Sequence, residues 1–140
     1  SITASIERVI NALVTQSTGW TYVYWDDRDE NSEFPNGDLM GPMGIGWEEI
    51  GVNEFDITCT IALSTVADQG RFRLRGQIDE VLKLFPIGGS IPLFNFNTKN
   101  NAGHLYIHSP RSVLPIASAE QRTIQLVQLV LSTKLPEGRV

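Results

Sequence analysis

The stretch EFDITCTIALSTVADQGRFRLRGQIDEVLKLF, residues 54–85, decides the fold because the spacing of its apolar residues changes once along its length. In the first part apolar and polar residues alternate, which predicts a strand with one buried face. In the second part the apolar residues recur at the spacing of a helix, and Pro86 with Gly88 and Gly89 ends that pattern. The predicted strand face consists of Phe55, Ile57, Cys59, Ile61 and Leu63, and the predicted helix face of Leu74, Ile78, Val81, Leu82 and Phe85. A half-buried strand followed by a helix that packs back on the sheet is the unit against which we expect the other segments to dock.

The start of the chain predicts another amphipathic helix over residues 2–14, with Thr3 or Ser5 as its cap. Its apolar residues have the same spacing as those of the helix predicted in residues 54–85. The residues on this face are Ile2, Ile6, Val9, Ile10 and Leu13. Two helices with matching apolar faces indicate two covers on one shared sheet.

Further strands are predicted in four segments that are rich in aromatic or β-branched residues. They are Trp20–Asp26, Ser90–Phe96, Gly103–Ile116 and Arg122–Thr133, with a turn at Asn100–Gly103 and a tail at residues 135–140. The first of these has large side chains on both faces, which favours a central strand or a face that meets a partner. The order of elements predicts an α+β fold, in which an N-terminal helix and a second helix pack on a mixed or antiparallel sheet.

Length and composition predict one globular domain over residues 1–140. With 41% hydrophobic and 19% charged residues, a chain of 140 residues can bury a substantial core. The single cysteine, Cys59, excludes an internal disulfide framework, and its place on the apolar strand face indicates a small buried residue rather than a nucleophile. No apolar run approaches the roughly 20 residues that span a bilayer. No secretion signal is recognisable at the start, so we expect neither a membrane partner nor export.

Charge is strongly segregated along the chain. Residues 26–56 hold ten acidic residues and one basic residue, a local net charge of −9, whereas the remainder carries ten bases and six acids. The segment 27–53 is also long, rich in glycine, and contains Phe34, Met43 and Trp47. One interpretation is an acidic solvated loop; the other is a charged surface that meets an oppositely charged neighbour or repels an anion. We expect an extended acidic arm that becomes ordered against another chain, with residues 45–52 forming a hairpin with the strand that follows.

A calcium-type pattern in the acidic segment is incomplete. Asp27, Asp29 and Asn31 occupy alternate positions of such a loop, but Ser32 replaces the required glycine and Pro35 interrupts it. This departure from the pattern favours an accidental match over a metal site.

Other patterns that carry chemistry are equally weak. A zinc pair at His104 and His108 would need a helix, whereas Gly103, Tyr106 and Pro110 indicate an extended segment. Four residues of strand span about 13 Å, which is too far for one ion to bridge. No phosphate-binding loop, nucleophile elbow or catalytic constellation is recognisable. We therefore expect no metal, no cofactor and no enzymatic activity.

Three arginines, Arg71, Arg73 and Arg75, open the second predicted helix on alternate positions. Positive charges at a helix N-terminus are unfavourable to the helix dipole, so a negative group is expected to compensate them. Binding to nucleic-acid phosphates is one role for such a cluster. The sequence pI of about 4.9 and the lack of a reader motif disfavour that role. The acids of residues 26–56 are the obvious partners, either in the same subunit or in a neighbouring one.

As an ordered whole, the chain resembles the tail-terminator, or tail-completion, proteins of long-tailed bacteriophages. The likeness covers residues 6–133 and rests on a pattern of elements rather than on a catalytic signature. It is carried by the helix that ends near Gly19, the alternating strand Phe55–Ile61, the polar break with Gly70, the helix segment Arg75–Phe85 and the strand pair that ends in Thr123–Val127.

The resemblance implies a non-enzymatic structural protein of the virion. Such proteins form a hexameric ring that caps the tail tube, stops its polymerisation and provides the surface for head-tail joining, while DNA passes through the lumen without specific binding. The implied partners are further copies of the chain, the tail tube protein and the head-neck connector protein. The implied locations are the virion and, during assembly, the host cytoplasm. Segregated charge suits a head-to-tail contact between the subunits of such a ring.

We therefore predict an interface with other subunits or partners that draws on the two charged segments. Its residues are Arg71, Arg73, Arg75, Asp27, Asp29, Glu30, Phe34, Met43, Trp47, Glu48 and Glu49. One of the three arginines is expected to pair across a subunit boundary with an acid of residues 26–56. Two other classes of function stay open. One is another neck, head-completion or tail-tube protein of the same virion, and the distant one is a small-molecule enzyme or binding module with a polar pocket.

Overall fold

The computed structural model describes residues 2–17, 19–25, 37–66, 71–95, 100–114, 117–119 and 122–134. Within these ranges the chain forms two helices and seven strands. In chain order they are α1 (Ile2–Gln16), β1 (Trp20–Tyr22), β2 (Asp38–Gly51), β3 (Glu54–Val66), α2 (Arg71–Leu84), β4 (Ser90–Asn95), β5 (Asn100–Val113), β6 (Ala117–Ala119) and β7 (Arg122–Lys134). Neither of these helices has the length and apolar character that a membrane crossing requires.

The seven described strands belong to one mixed sheet, and the α+β fold class is confirmed. The strand order is β1-β2-β3-β7-β5-β4, and β6 also pairs with β7. β1 runs parallel to β2, whereas the other described pairings are antiparallel. β3 pairs with β7 along its whole length, from Glu54 opposite Lys134 to Val66 opposite Arg122. The predicted alternation of β3 is also confirmed, since the five apolar residues assigned to its inner face are buried.

Both helices share one hydrophobic core with the sheet, as their matching apolar faces predicted. Ile2, Ile6 and Ile10 of α1 are buried in it, together with Leu74 and Val81 of α2. α1 contacts β1 and β2 near one edge of the sheet and β4 at the other edge. A single helix reaches both edges because the sheet is curled around it. α1 already begins at Ile2, so the prediction of Thr3 or Ser5 as the helix cap is wrong.

A smaller apolar cluster covers the opposite face of the sheet. It consists of Val23, Trp25, Leu39 and Ala62, with Met43 and Leu126 packed against it. The segment after β1 crosses onto this face, where the Nε1 of Trp25 donates a hydrogen bond of 3.2 Å to the carbonyl oxygen of Ala62. The crossing is close, because a Cβ at Gly41 would overlap the carbonyl oxygen of Val23. This close approach requires glycine at position 41.

Several predicted boundaries are corrected by the pairing. The segment Trp20–Asp26 is not a central strand: three of its residues form the edge strand β1, because the chain then leaves the sheet. The hairpin predicted for residues 45–52 is confirmed and extends back to Leu39, which pairs with Ser64. Residues 38–51 are ordered within the chain's own sheet, so the expected ordering against another chain does not apply to them. The turn predicted at Asn100–Gly103 is instead the start of β5, paired with β4.

Candidate assembly interface

The outer end of the β2–β3 hairpin leaves the core. β2 is buried over residues 38–42 and exposed over residues 46–50. A bulge separates these halves, with Gly44 at a φ of 81°. The two strands are joined by the turn Val52-Asn53, whose second residue has a φ of 58°. We call residues 47–56 the hairpin tip.

Three large apolar side chains of the hairpin tip are exposed. The exposed fraction is 47% for Trp47, 57% for Ile50 and 82% for Val52. Trp47 lies opposite the buried Ile57 in the strand pair, and therefore on the side of the sheet that the helices cover elsewhere. Apolar side chains gathered at an exposed end of a hairpin are typical of an interaction surface.

Acidic side chains accompany these apolar groups. Glu48 and Glu49 are exposed, and Glu48 lies directly opposite Asp56 across the strand pair. Like charges in that position destabilise a hairpin. Glu54 lies 3.6 Å from the exposed Lys134, which compensates one of the four acids. The hairpin tip therefore carries a net negative charge that a basic partner would stabilise.

A second exposed surface lies at the start of α2. Phe72 is 91% exposed, and Arg75 and Gly76 are also exposed. Residues three and four positions apart are neighbours on a helix, so these three residues share one side of α2. We call them the α2 face.

Arg73, between two of these residues in sequence, is held within the chain. Its Nε donates a hydrogen bond of 2.8 Å to the Oδ2 of Asp38, and its Nη2 donates one of 3.4 Å to the Oδ1. The hydrogen bond and the charge of Asp38 raise the pKa of Arg73. An arginine does pair with an acid of residues 26–56, but this pair lies inside one chain. Arg73 is therefore committed to an internal contact, and the predicted pairing across a subunit boundary is corrected for this arginine.

Another arginine, Arg122, is buried at the same end of the sheet. Arg122 is 7% exposed and donates hydrogen bonds to the Oγ of Ser64 at 2.8 Å and to the carbonyl oxygen of Gly37. Burial lowers the pKa of Arg122, and the nearby charge of Asp38 opposes that decrease. The buried carboxylate of Asp38 thus serves two guanidinium groups, and it ties α2 and β7 to the start of β2.

The remaining predicted interface residues fall into three groups. Trp47, Glu48 and Glu49 lie in the hairpin tip, and Arg75 lies on the α2 face. Met43 is half-buried and packs against the smaller apolar cluster, so it is not an exposed anchor. Asp27, Asp29, Glu30, Phe34 and the side chain of Arg71 lie outside the described residues.

Groups with catalytic or metal-binding potential do not converge in the described part of the chain. Burial raises the pKa of Cys59 to about 12, which keeps this thiol protonated. His104 and His108 lie on the extended strand β5, and the Nε2 of His108 is 2.5 Å from the Oγ of Ser132. Within the described ranges, no group of three His, Cys, Asp or Glu side chains is arranged to hold a metal ion.

A groove of about 290 Å³ lies between α1, β4 and the end of α2. Leu13, Leu84 and Pro92 are among its lining residues, and Arg8 is the one titratable side chain among the described residues that line it. The groove therefore lacks the pair of convergent titratable groups that acid–base catalysis would use.

Sequence reasoning missed Ile50, Val52, Phe72 and Gly76, although the last three each carried a signal. Phe72 stands outside the apolar stripe of its helix, which marks an apolar residue that the core does not need. Val52 occupies a hairpin turn, where polar residues and glycine are usual. Gly76 interrupts a helix in which the core makes no demand for it.

Comparisons with known proteins extend to the fold alone. No protein-family model matches the chain, and no curated protein matches it in sequence. Several solved structures are similar to the chain, and one of them has a TM-score of 0.61 and 13% sequence identity over 97% of this chain and 96% of the other. At that identity the likeness shows a shared fold, which does not determine a function. Because nearly all of both chains is covered, the shared fold includes the helices together with the sheet.

Proposed function

We propose that this protein is a structural component of a bacteriophage virion, a tail terminator that forms a ring at the end of the tail tube. The observation that carries the proposal is the hairpin tip, which presents apolar and acidic side chains away from the core. A side chain such as Val52, 82% exposed in a turn, gains little from the fold of its own chain. It gains stabilisation when a partner surface removes it from water. The resemblance in element order supports a tail assembly as the source of that partner surface.

The proposed ring is hexameric, binds the tail tube protein on one side and receives the head-neck connector on the other. A ring seated on the last layer of the tube covers the surface that the next layer of tube protein would bind, and polymerisation stops. No bond is made or broken in this process, so no catalytic group is required.

The charge of the chain suits the passage of DNA through such a ring. The formal net charge is −5, and Glu48 and Asp56, which form no ion pair within the described part of the chain, lie on the sheet surface that faces away from the helices. Carboxylates repel DNA phosphates, whereas a basic lining would retain them. We therefore place DNA in the lumen without specific binding to it.

Deletion of the gene, followed by electron microscopy of the particles, tests this function. Loss of the protein is expected to leave tails of variable and excessive length that are not joined to heads. Tails of normal length and normal attachment would overturn the proposal. Absence of tubes would instead identify a tube protein, and tails of normal length without heads would identify a neck protein.

Complementation with variants of exposed residues sharpens the experiment. Wild-type protein and Ile87→Asp are expected to restore defined tails, because Ile87 is 54% exposed in the loop after α2 and belongs neither to the hairpin tip nor to the α2 face. The double variant Ile50→Asp/Val52→Asp is expected to fail, because it removes the apolar character of the tip. Restoration of defined tails by that double variant would show that the tip has no part in assembly.

A further inference from the structure

The α2 face has two features that the fold of its own chain does not explain. Phe72 is 91% exposed, so its ring contributes almost nothing to the core. Gly76, one turn further along the helix, is the least favourable helix residue other than proline. A Cβ at Gly76 would meet no atom within 4 Å, so no contact within the described part of the chain requires glycine at this position.

Both features are explained when another polypeptide lies across the α2 face. A helix glycine permits the close approach of a second backbone, which a side chain would hold off. An exposed aromatic ring next to such a gap supplies the large apolar contact that dominates most interfaces. Arg75, on the same side of the helix, adds a positive charge, and no acid among the described residues forms an ion pair with it as Asp38 does with Arg73.

We propose that the α2 face is the docking site for the hairpin tip of a second copy of this chain. The two surfaces are complementary in charge, since Arg75 would meet the exposed Glu49, which lies on the same side of the hairpin as Trp47. They are also complementary in apolar character, since Trp47 and Val52 offer exposed apolar surface to Phe72. Trp47 is also the kind of side chain over which a guanidinium group packs favourably. This inference names the subunit contact of the proposed ring and in that sense rests on the proposed function.

The two surfaces cannot meet within one chain. The ion pair between Arg73 and Asp38 fixes the start of α2 at the beginning of β2. The hairpin tip lies at the other end of the same strand pair, which for the 13 residues of β3 is a separation of about 40 Å. Complementary surfaces at opposite ends of a molecule produce head-to-tail association, which closes into a ring when the rotation per subunit permits it.

A mixing experiment with two blocked variants tests the inference on the purified full-length protein. Phe72→Asp blocks the α2 face, and Ile50→Asp/Val52→Asp blocks the hairpin tip; all three residues are more than half exposed, so the fold should be retained. Each variant alone is expected to stay monomeric. The equimolar mixture is expected to form a dimer of twice the 15.5 kDa chain mass, because each variant retains one intact surface.

Amide chemical shifts in the same mixture report weak binding as well. One variant is isotope-labelled at a time. Changes in amide chemical shift are expected at the α2 face of Ile50→Asp/Val52→Asp and at the hairpin tip of Phe72→Asp. A mixture without a dimer and without such shifts overturns the inference, as does wild-type assembly by either variant alone. Ile87→Asp is the matched control and is expected to assemble as the wild type does.

Gly76→Ala separates a docking role from a structural one. Alanine is the better helix residue and has room at this position, so the melting temperature of the monomer is expected to rise. Association is expected to weaken, because the methyl group occupies the space of the approaching backbone. A variant that is more stable and associates as strongly as the wild type contradicts the inference. Failure of this inference and failure of the proposed function can be told apart. If the blocked variants cap tubes normally, the docking contact is refuted and the function is not. If association is intact but tubes stay uncapped, the function is refuted and the docking contact is not.

Discussion

Replacing Gly41 by alanine is expected to destabilise the protein, because the chain has no room for a Cβ at this position. The added atom would overlap the carbonyl oxygen of Val23 and lie 3.0 Å from the carbonyl carbon of the same residue. These neighbours are backbone atoms, so relief requires movement of the chain rather than a change of rotamer. That movement would stretch the 3.0 Å hydrogen bond from the N–H of Val23 to the carbonyl oxygen of Met40.

The magnitude follows from two contributions. Adding a methyl group to a packed site costs about 1–3 kcal/mol, and the loss of a backbone hydrogen bond costs about 0.5–1.5 kcal/mol. We expect the free energy of unfolding to fall by about 3 kcal/mol. For a chain of 140 residues this corresponds to a decrease in melting temperature of roughly 10 °C. Urea titration followed by circular dichroism, together with calorimetry, measures both quantities.

Gly46→Ala is the matched control. Gly46 lies in the same strand, and a Cβ there would meet no atom within 4 Å. Alanine loses less backbone conformational entropy on folding than glycine, so this variant is expected to be as stable as the wild type or more stable by about 0.5–1 kcal/mol. A Gly41→Ala variant with wild-type stability would show that the backbone of Val23 does not lie against β2. Equal losses in the two variants would show that crowding is not the cause.

Three further predictions concern stability. Asp38→Asn is expected to lower the free energy of unfolding by about 2 kcal/mol in urea titration, because the buried guanidinium of Arg122 loses the negative charge of Asp38 beside it. The lost contact with the half-exposed Arg73 adds little to this decrease. An unchanged unfolding midpoint would contradict this prediction. Gly76→Ala is expected to stabilise the monomer by about 1 kcal/mol in thermal unfolding, and a loss would show that the site is crowded. Burial raises the pKa of Cys59 from 9.0 to about 12, so only the unfolded chain ionises this thiol in that range. The contribution of this thiol to the free energy of unfolding is therefore fully present below pH 9 and is lost as pH rises towards 12, by up to about 1.4 kcal/mol per pH unit. The free energy of unfolding of Cys59→Ala is expected to depend less steeply on pH in this range, and an equal pH dependence would refute the role of Cys59.

The parts of the fold that the sequence predicted are those governed by local periodicity. The alternation from Phe55 to Leu63 places one face of β3 in the core, and the spacing from Leu74 to Phe85 places one stripe of α2 against it. Both patterns depend on residues that are close in sequence, and both are independent of the partner strands.

Pairings between distant segments were not predictable in the same way. Trp20–Tyr22 carries bulky residues on both faces, but it becomes an edge strand because the following segment crosses onto the other face of the sheet. Arg122 begins a strand and is of a residue type that usually lies on the surface. It is buried because it donates a hydrogen bond to Ser64, 58 positions away in the sequence. The shared charge of the arginines at the start of α2 did not reveal that Arg73 is bonded to Asp38, whereas Arg75 lies on the exposed side.

Native mass spectrometry tests most directly whether this protein acts, as we propose, by closed association with copies of itself. The wild-type protein, alone and mixed with the tube protein of the proposed tail, is expected to give one discrete assembly of six 15.5 kDa chains. Chains that stay monomeric in both samples, or an open ladder of masses without a closed species, would contradict the account.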